Sequence, residues 1–364
     1  MVSSSYPSNA RDWHGRFIAD MATTISQQQN VGLALWAPPS ELPAGVSSAL
    51  LNDDSHWLMQ LQKAGGIAHL LRCGPVKGTC TALGLLRRLW RVYRREQFDV
   101  AHINWLQNAL PLWHTSRPAL ITVLGSDFGL LKLPGMTRLL RNMIEKRKCI
   151  IAPNATWMVP ELEHRFGDIA EIRPIPFGVA SRWFNLQRCP AMPHRWLAVA
   201  RLTRNKIGDL LTWGDGLFGK ERELHLFGPM QEEIILPSWV IWHGPTNPDA
   251  LANDWFPTAT GLVSLSRHDE GRPQVMLEAM AAGLPVIASK MPAHEDFVQH
   301  QQTGWLVDST AEFRKALAFL EIPGHNQETG KAARAWTMAN IGTWDNCAKR
   351  YVRAYHDLLE HHDV

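Results

Sequence analysis

Two glutamates eight residues apart, Glu270 and Glu278, frame the part of this sequence richest in chemistry. The window from Ser264 to Ser289 reads Ser-Leu-Ser-Arg-His-Asp-Glu270-Gly271-Arg272-Pro273-Gln274-Val-Met-Leu-Glu278-Ala-Met-Ala-Ala-Gly283-Leu-Pro285-Val-Ile-Ala-Ser. An apolar strand ends at Ser266 and a polar loop follows. Pro273 then opens a helix, as proline does at a first helical position. Gly283 closes the helix and Pro285 begins the next strand. Glu270 therefore stands just ahead of a helix N-terminus, on the carboxyl edge of a parallel sheet, where open sheets take their ligands. The helix end offers free N–H groups and partial positive charge, suited to a phosphate. Glu278 lies more than a turn into the helix, where a carboxylate can grip the vicinal hydroxyls of a ribose. Two glutamates alone would as readily be a helix cap and a solvated residue. The strand, loop, proline and glycine around them favour a ligand site.

The elements that must hold this window are legible in the apolar pattern. Short apolar strands alternate with helical stretches. Strands are expected at Val31–Trp36, Ile67–Arg72, Asp99–Asn104, Leu120–Leu124, Cys149–Ala152 and Ile172–Pro176, then at Trp196–Ala200, Leu224–Phe227, Val240–His243, Gly261–Ser266, Pro285–Ser289 and Gly304–Val307. Helices are expected at Trp13–Gln28, Thr81–Arg95, Met136–Lys146 and Thr156–Phe166, and at Asn205–Leu217, Pro273–Ala282, Ala293–His300, Thr310–Leu320 and Trp344–Leu359. Strands too apolar to face water, alternating with helices, imply parallel sheets covered on both faces. The 364 residues suffice for two such α/β domains, with the boundary in the Pro- and Gly-containing stretch 177–195. Only Val2 precedes the first turn at Tyr6-Pro7, where a strand of ~5 residues is expected, so the first strand reads as truncated or as starting upstream.

Composition excludes several classes. Apolar residues are 45% and charged residues 20%, which is globular and neither disordered nor fibrous. No apolar run is long enough for a membrane-spanning helix, and the N-terminus lacks the pattern of a signal peptide. Five cysteines form no CxxC pair and no zinc spacing, which points to reduced thiols and a cytoplasmic location. No Asp-x-Asp occurs, Asp53-Asp54 reads as a polar loop, and His356, His361 and His362 read as a frayed tail, so no metal site is expected. Gly214-Asp-Gly-Leu-Phe-Gly219 matches GxGxxG but precedes a strand, so it reads as a loop and not as a dinucleotide site. The 16 Trp against four Tyr are assigned mainly to core.

Charge is uneven. Residues 1–180 carry 19 Lys and Arg against 13 Asp and Glu, whereas residues 181–364 carry 18 against 21. The basic half holds two Arg-rich helical stretches. Residues 81–95 contain Arg87, Arg88, Arg91, Arg94 and Arg95, and residues 136–148 contain Arg138, Arg141, Lys146, Arg147 and Lys148. Such faces suit an anionic membrane surface or plain solvent. No nucleic-acid-binding motif accompanies them.

The chain resembles the retaining GT-B glycosyltransferases of the family-4, or group 1, type. Glu270-Gly271-Arg272-Pro273 with Glu278-Ala-Met-Ala-Ala-Gly-Leu-Pro-Val is similar to that family's Glu-x7-Glu signature. Trp196-Leu-Ala-Val-Ala-Arg201-Leu-Thr-Arg-Asn-Lys206 resembles its Gly-Arg-Leu…Lys-Gly segment, and Leu224-His-Leu-Phe-Gly228 its next strand and glycine. Pro176-Phe-Gly178-Val-Ala180 resembles Pro-x-Gly-Val-Asp with Ala180 for the Asp, and Ser3-Ser-Ser-Tyr-Pro the opening Ser-x-x-Tyr-Pro.

The resemblance implies two doubly wound, Rossmann-like domains with parallel sheets facing across a cleft. These are an acceptor domain at 1–180, a nucleotide-sugar domain at 181–343, and a final helix in 344–364 that crosses back. It implies transfer of a sugar from a UDP- or GDP-linked donor, without a metal or other cofactor, to a saccharide or lipid-linked saccharide at the cytoplasmic membrane face. Arg201 and Lys206 would hold the diphosphate, although Lys206 alone would also read as a solvated helix residue. Glu278 would bind the ribose. Glu270 would contact the transferred sugar, as nucleophile or stabiliser. Gly228, Gly271, Arg272, Pro273 and Gln274 would line the donor site. Ile121-Thr-Val-Leu124-Gly-Ser126-Asp127 resembles the family's His-Gly-Ser-Asp loop with Leu124 for the His. Ser126 and Asp127 would then face the acceptor, unless Asp127 bonds only its own turn. Asn9-Ala-Arg11-Asp-Trp-His14-Gly15 replaces the family's Gly-Gly, with Arg11, His14 and Gly15 available to a phosphate. Two other readings stay open: a nucleotide-sugar epimerase of the same fold, and a non-catalytic scaffold subunit.

Overall fold

The computed structural model describes residues 1–9, 12, 14–51, 53–95, 97–125, 127–268 and 270–360. Arg11, Ser126, His361 and His362 lie outside the described residues. The chain forms two compact units, Met1–Phe177 with Trp344–Val364, and Gly178–Thr343.

In the first unit, β1 (Leu33–Leu35) pairs with β2 (Val46–Ser48). A second run of strands is ordered β3 (Ala101–Asn104), β4 (Ala119–Val123), β5 (Cys149–Pro153) and β6 (Glu171–Ile172). Val2 joins the two runs, bridging in parallel to Trp36 on one side and Ile103 on the other. Val2 thus takes the place of a strand between β1 and β3. Along the sheet the order is β2, β1, Val2, β3, β4, β5, β6, so the winding reverses between Val2 and β3. Every residue of β3, β4 and β5 is buried, as expected for strands covered on both faces. His102 is a satisfied core histidine. Its two nitrogens lie 2.6 Å from Tyr355 Oη and 2.9 Å from Thr122 Oγ1. Tyr355 belongs to the last helix, Trp344–Leu359, which is part of this unit and also brings Arg350 to the Pro176 carbonyl at 2.9 Å.

The second unit contains one parallel sheet in the order β12, β11, β10, β7, β8, β9. The strands are β7 (His194–Val199), β8 (Arg222–Phe227), β9 (Val240–Trp242), β10 (Gly261–Ser264), β11 (Val286–Ser289) and β12 (Gly304–Val307). The winding reverses between β7 and β10. Leu197, Leu262, Val286 and the helix Gln274–Ala281 supply one side of its core, and Trp196, Leu226, Val263 and Phe313 the other.

The structure corrects several expectations. Residues 67–72 are not a strand but lie in the helix Gly66–Cys73, since Ile67, Leu70 and Leu71 recur at helical spacing. The Arg-rich helix begins at Pro75 and runs to Arg95. The stretch 205–217 breaks at Gly208 into Arg204–Ile207 and Leu210–Gly214. Asp53-Asp54 is not a polar loop. Asp54 begins the helix Asp54–Lys63, is fully buried, and accepts hydrogen bonds from Trp36 Nε1 at 2.7 Å and Arg88 Nη1 at 3.0 Å. The helix Pro323–Asn340 was not expected.

Candidate active site

The second unit gathers the Glu-x7-Glu window at its switch point. Arg201 and Lys206 follow β7, and Glu270 follows β10, the two strands between which the winding reverses. The loops are tied to each other. Arg267 N donates to Asn205 O at 2.8 Å, and Arg267 Nε and Nη2 grip the Asp209 carboxylate at 2.8 and 2.5 Å. This brace carries Lys206 to Glu270, and the ammonium and carboxylate form a direct ion pair. Both side chains are mostly buried, at 15% and 18% exposed. Burial pushes the Lys206 ammonium below its ordinary range, and Glu270 opposes that shift. Thr203 caps the short helix by accepting from Lys206 N at 3.3 Å.

The rest of the window is equally ordered. Pro273 is the cap of the helix Gln274–Ala281, one position earlier than expected. Gln274 Nε2 donates to Gly178 O at 2.7 Å, within the second unit. Glu278 lies in the helix's second turn, about 6 Å along the axis from Gln274. Arg272 is already engaged: it is buried, paired with Asp296, and 5.9 Å from the Phe297 ring centre. Its expected contact with a donor therefore needs correcting. Arg272 fixes the loop, because a buried guanidinium without a carboxylate would be prohibitively costly. Gly271 lies in the same loop, between Glu270 and Arg272.

Gly228 ends β8 with φ 135°, a conformation open essentially to glycine. A Cβ there would stand 1.8 Å from Ala200 O. Its N–H donates to Gly244 O at 2.8 Å. Gly228→Ala must push the β7 loop aside, and the expected cost is about 2–3 kcal/mol. Urea unfolding of the full chain checks this; an unchanged midpoint would show that the strand ends do not need the close approach.

Sequence reasoning missed His294. It is fully buried on Pro292–Glu295, just past β11. Its Nδ1 lies 2.9 Å from Ser289 O, and Ser289 Oγ donates to Ser266 O at 2.5 Å, so the group leans on the end of β10. Among the described residues its Nε2 has no partner. Burial pushes its pKa down, while the Glu270 charge raises it and Lys206 lowers it. The only sequence signal was a histidine shortly after the strand that follows the window.

In the first unit the expectations fare differently. Asp127 needs correcting. It is 1% exposed, and both of its oxygens serve the backbone, accepting from Leu106 N at 2.7 Å and Leu124 N at 2.8 Å. It organises the loops and, being buried, does not present its carboxylate to an acceptor hydroxyl. Gly15 has φ 60°, and a Cβ there would meet the Ser5 carbonyl carbon at 2.6 Å. His14 Nδ1 lies 2.6 Å from Asp12 Oδ1. Burial works to raise the Asp12 carboxyl, but hydrogen bonds from Ser8 and His14 outweigh it and hold it at about 2.

Residues 195–321 match the family model described as Glycosyl transferases group 1. Residues 195–321 are therefore similar to that family. The match lies wholly within the second unit. A D-inositol 3-phosphate glycosyltransferase of Acidothermus cellulolyticus is 31% identical over 122 residues, covering 33% of this chain and 26% of that protein. The chain thus spans about a quarter of the length of that curated relative. Among solved structures, the sucrose-phosphate synthase of Thermosynechococcus elongatus superposes with a TM-score of 0.75 at 16% identity, over 99% of this chain and 98% of that one. Anabaena HepE, solved in complex with UDP-glucose, gives a TM-score of 0.64 at 13% identity, over 98% of each chain. The structural likenesses show a GT-B fold. No helix among the described residues is long and apolar enough to cross a membrane.

Proposed function

We propose that this chain is a retaining glycosyltransferase that moves a hexose from a nucleotide sugar to a hydroxyl of a saccharide acceptor. The observation that carries the reading is the Lys206–Glu270 pair at the β7/β10 switch point, ahead of the helix that bears Glu278. The donor diphosphate would take Lys206 and Arg201 as its cations, so that charge developing on the leaving group is offset without a metal ion. Freed from Lys206, Glu270 would accept hydrogen bonds from the transferred sugar. Glu278 would hold the ribose. The bond from the sugar's anomeric carbon to the diphosphate oxygen breaks, and the acceptor oxygen bonds to the same face of that carbon while its proton passes to the departing diphosphate.

The acceptor is assigned to the first unit and is proposed to be lipid-linked, as in lipopolysaccharide or exopolysaccharide synthesis at the cytoplasmic membrane face. The Arg-rich stretches support this less fully than their composition does. Arg88 and Arg91 pair with Asp53 and Asp54, Arg141 pairs with Asp168, and Arg147 is buried against backbone carbonyls. The charge that remains for a membrane includes Arg87, Arg94 and Arg95, on a helix that also exposes Val76 at 80% and Leu83 at 62%.

A panel of UDP-, GDP-, ADP- and CMP-sugars tests the reading, with Glu278→Ala beside the wild type. One nucleotide class should bind, and the variant should weaken it by roughly 30-fold or more through two lost charged hydrogen bonds. Conversion of the bound nucleotide sugar without any acceptor would select the epimerase reading. Binding of none of the panel by folded protein would sink the transferase.

A further inference from the structure

The second unit carries a cavity of about 480 Å³ at the amino edge of its sheet, the end away from the Glu-x7-Glu window. His194, which begins β7, Thr260, which precedes β10, and Gly283, which precedes β11, stand in its wall. The six residues of β7 separate the two ends of the sheet by about 20 Å, at ~3.3 Å each.

Two guanidiniums line this cavity. Arg188 donates to the Gly283 carbonyl, to Ala259 O at 2.8 Å and to Asn326 Oδ1 at 3.0 Å. Arg334 donates to Ala281 O at 3.0 Å, to Leu186 O at 2.7 Å and to Ala282 O at 2.6 Å. Residues 281–283 end the helix that bears Glu278, and its last carbonyls draw cations. These carbonyls hold both guanidiniums still without neutralising them. Neither has a carboxylate within ion-pair distance among the described residues. Burial, with the charge of Arg334 beside it, holds Arg188 down at about 10, and burial lowers Arg334 as well.

The rest of the wall does not supply the missing negative charge. Glu321 lines the cavity, but Arg222 grips both of its oxygens and Trp196 Nε1 donates to it at 3.0 Å. Lys331 adds to the excess. It is exposed, lies one turn before Arg334 on the helix Pro323–Asn340, and pairs with no described carboxylate. That helix starts at the cavity with Pro323, and its first turn has neither a side-chain cap nor an acid. Arg334 Nη1 donates to no described residue and keeps accessible surface. Fixed cations with donors to spare are the recognition chemistry of a phosphoryl group. The volume is that of a small-molecule site, and Gln187 and Gln327 offer amides to hydroxyls.

We propose that this cavity is a second ligand site, for the phosphoryl group of a small molecule, with Arg334 and Lys331 as its binding cations and Arg188 reinforcing their field. It shares no residue with the site at the Glu-x7-Glu window.

Calorimetry on the full chain in phosphate-free buffer tests it, with inorganic phosphate and ribose 5-phosphate as probes. At least one should bind, and Lys331→Glu, a change at an exposed position, should weaken it at least about tenfold. Gln327→Glu sets a carboxylate in the same wall and should weaken it too. Arg334→Met should abolish binding; if it fails to fold for want of its carbonyl contacts, the two exposed variants still decide. Lys206→Met should bind the probe as wild type does, which separates this site from the donor site. Tighter binding of ribose 5-phosphate than of inorganic phosphate supports the site as one for a phosphate monoester, and equal binding supports it as one for the free ion. Binding of neither probe, or an affinity unchanged in Lys331→Glu and Gln327→Glu, overturns the site. So does loss of the probe in Lys206→Met alone, which would place it at the window.

Discussion

Replacing Lys206 with Met is expected to weaken donor-nucleotide affinity by about 2–3 kcal/mol, roughly 30- to 150-fold, because it removes a charge-assisted contact to the diphosphate. Replacing its partner is expected to act on stability instead. Glu270→Gln leaves the Lys206 ammonium mostly buried without a countercharge, and breaking such a pair from one side costs about 3 kcal/mol. The double variant should recover most of that loss, since neither charge then remains. Urea unfolding of the whole chain reads the stability terms, and calorimetry with the bound nucleotide reads the affinity. If Lys206→Met binds nucleotide as tightly as wild type, the switch point of the second unit is not the donor site. If the double variant is as unstable as the sum of the singles, the pair is not an energetic unit.

The second unit was more legible in the sequence than the first, for physical reasons. Its strands are runs such as Leu262-Val263 and Val286-Ile287-Ala288, apolar throughout because both faces are covered. Pro273 and Gly283 mark the ends of the intervening helix to within a residue. The helix Pro323–Asn340 escaped because Asn326, Thr329 and Thr337 are among its buried residues, so no apolar stripe announces it. Residues 67–72 misled because a short apolar run fits strand and helix alike. Asp54 looked solvated because its partners, Trp36 and Arg88, are 18 and 34 residues away. The ion pair of Lys206 with Glu270 spans 64 residues and follows only from the strand order. Arg272 shows the converse. Its place in the motif suggested a ligand contact, and its contact with Asp296 gives it to the fold.

Asp127→Ala should strongly destabilise the first unit. It strands the N–H groups of Leu106 and Leu124 in a buried turn, at about 1–3 kcal/mol each, for a fall in melting temperature of roughly 10 °C. The acid itself gives a second, signed expectation. Burial raises the Asp127 carboxyl from 3.8 to about 6, against the backbone N–H groups of Leu124, Leu106 and Asp127 itself, which favour its charged form. A folded-state value above the unfolded one means that the native protein holds the extra proton. The contribution is therefore complete below the unfolded value near 3.8 and is lost as pH rises through about 6. Its size is about 3 kcal/mol at about 1.4 kcal/mol per pH unit. Asp12, held at about 2, titrates below this window and does not mask it. Asp127→Asn carries no titrating proton, so the wild type's advantage over that variant should shrink by this amount between pH 4 and neutrality. An advantage that grows instead would mean that the N–H groups of Leu106 and Leu124 outweigh burial, and that the loop after β3 rests on a carboxylate ionised throughout.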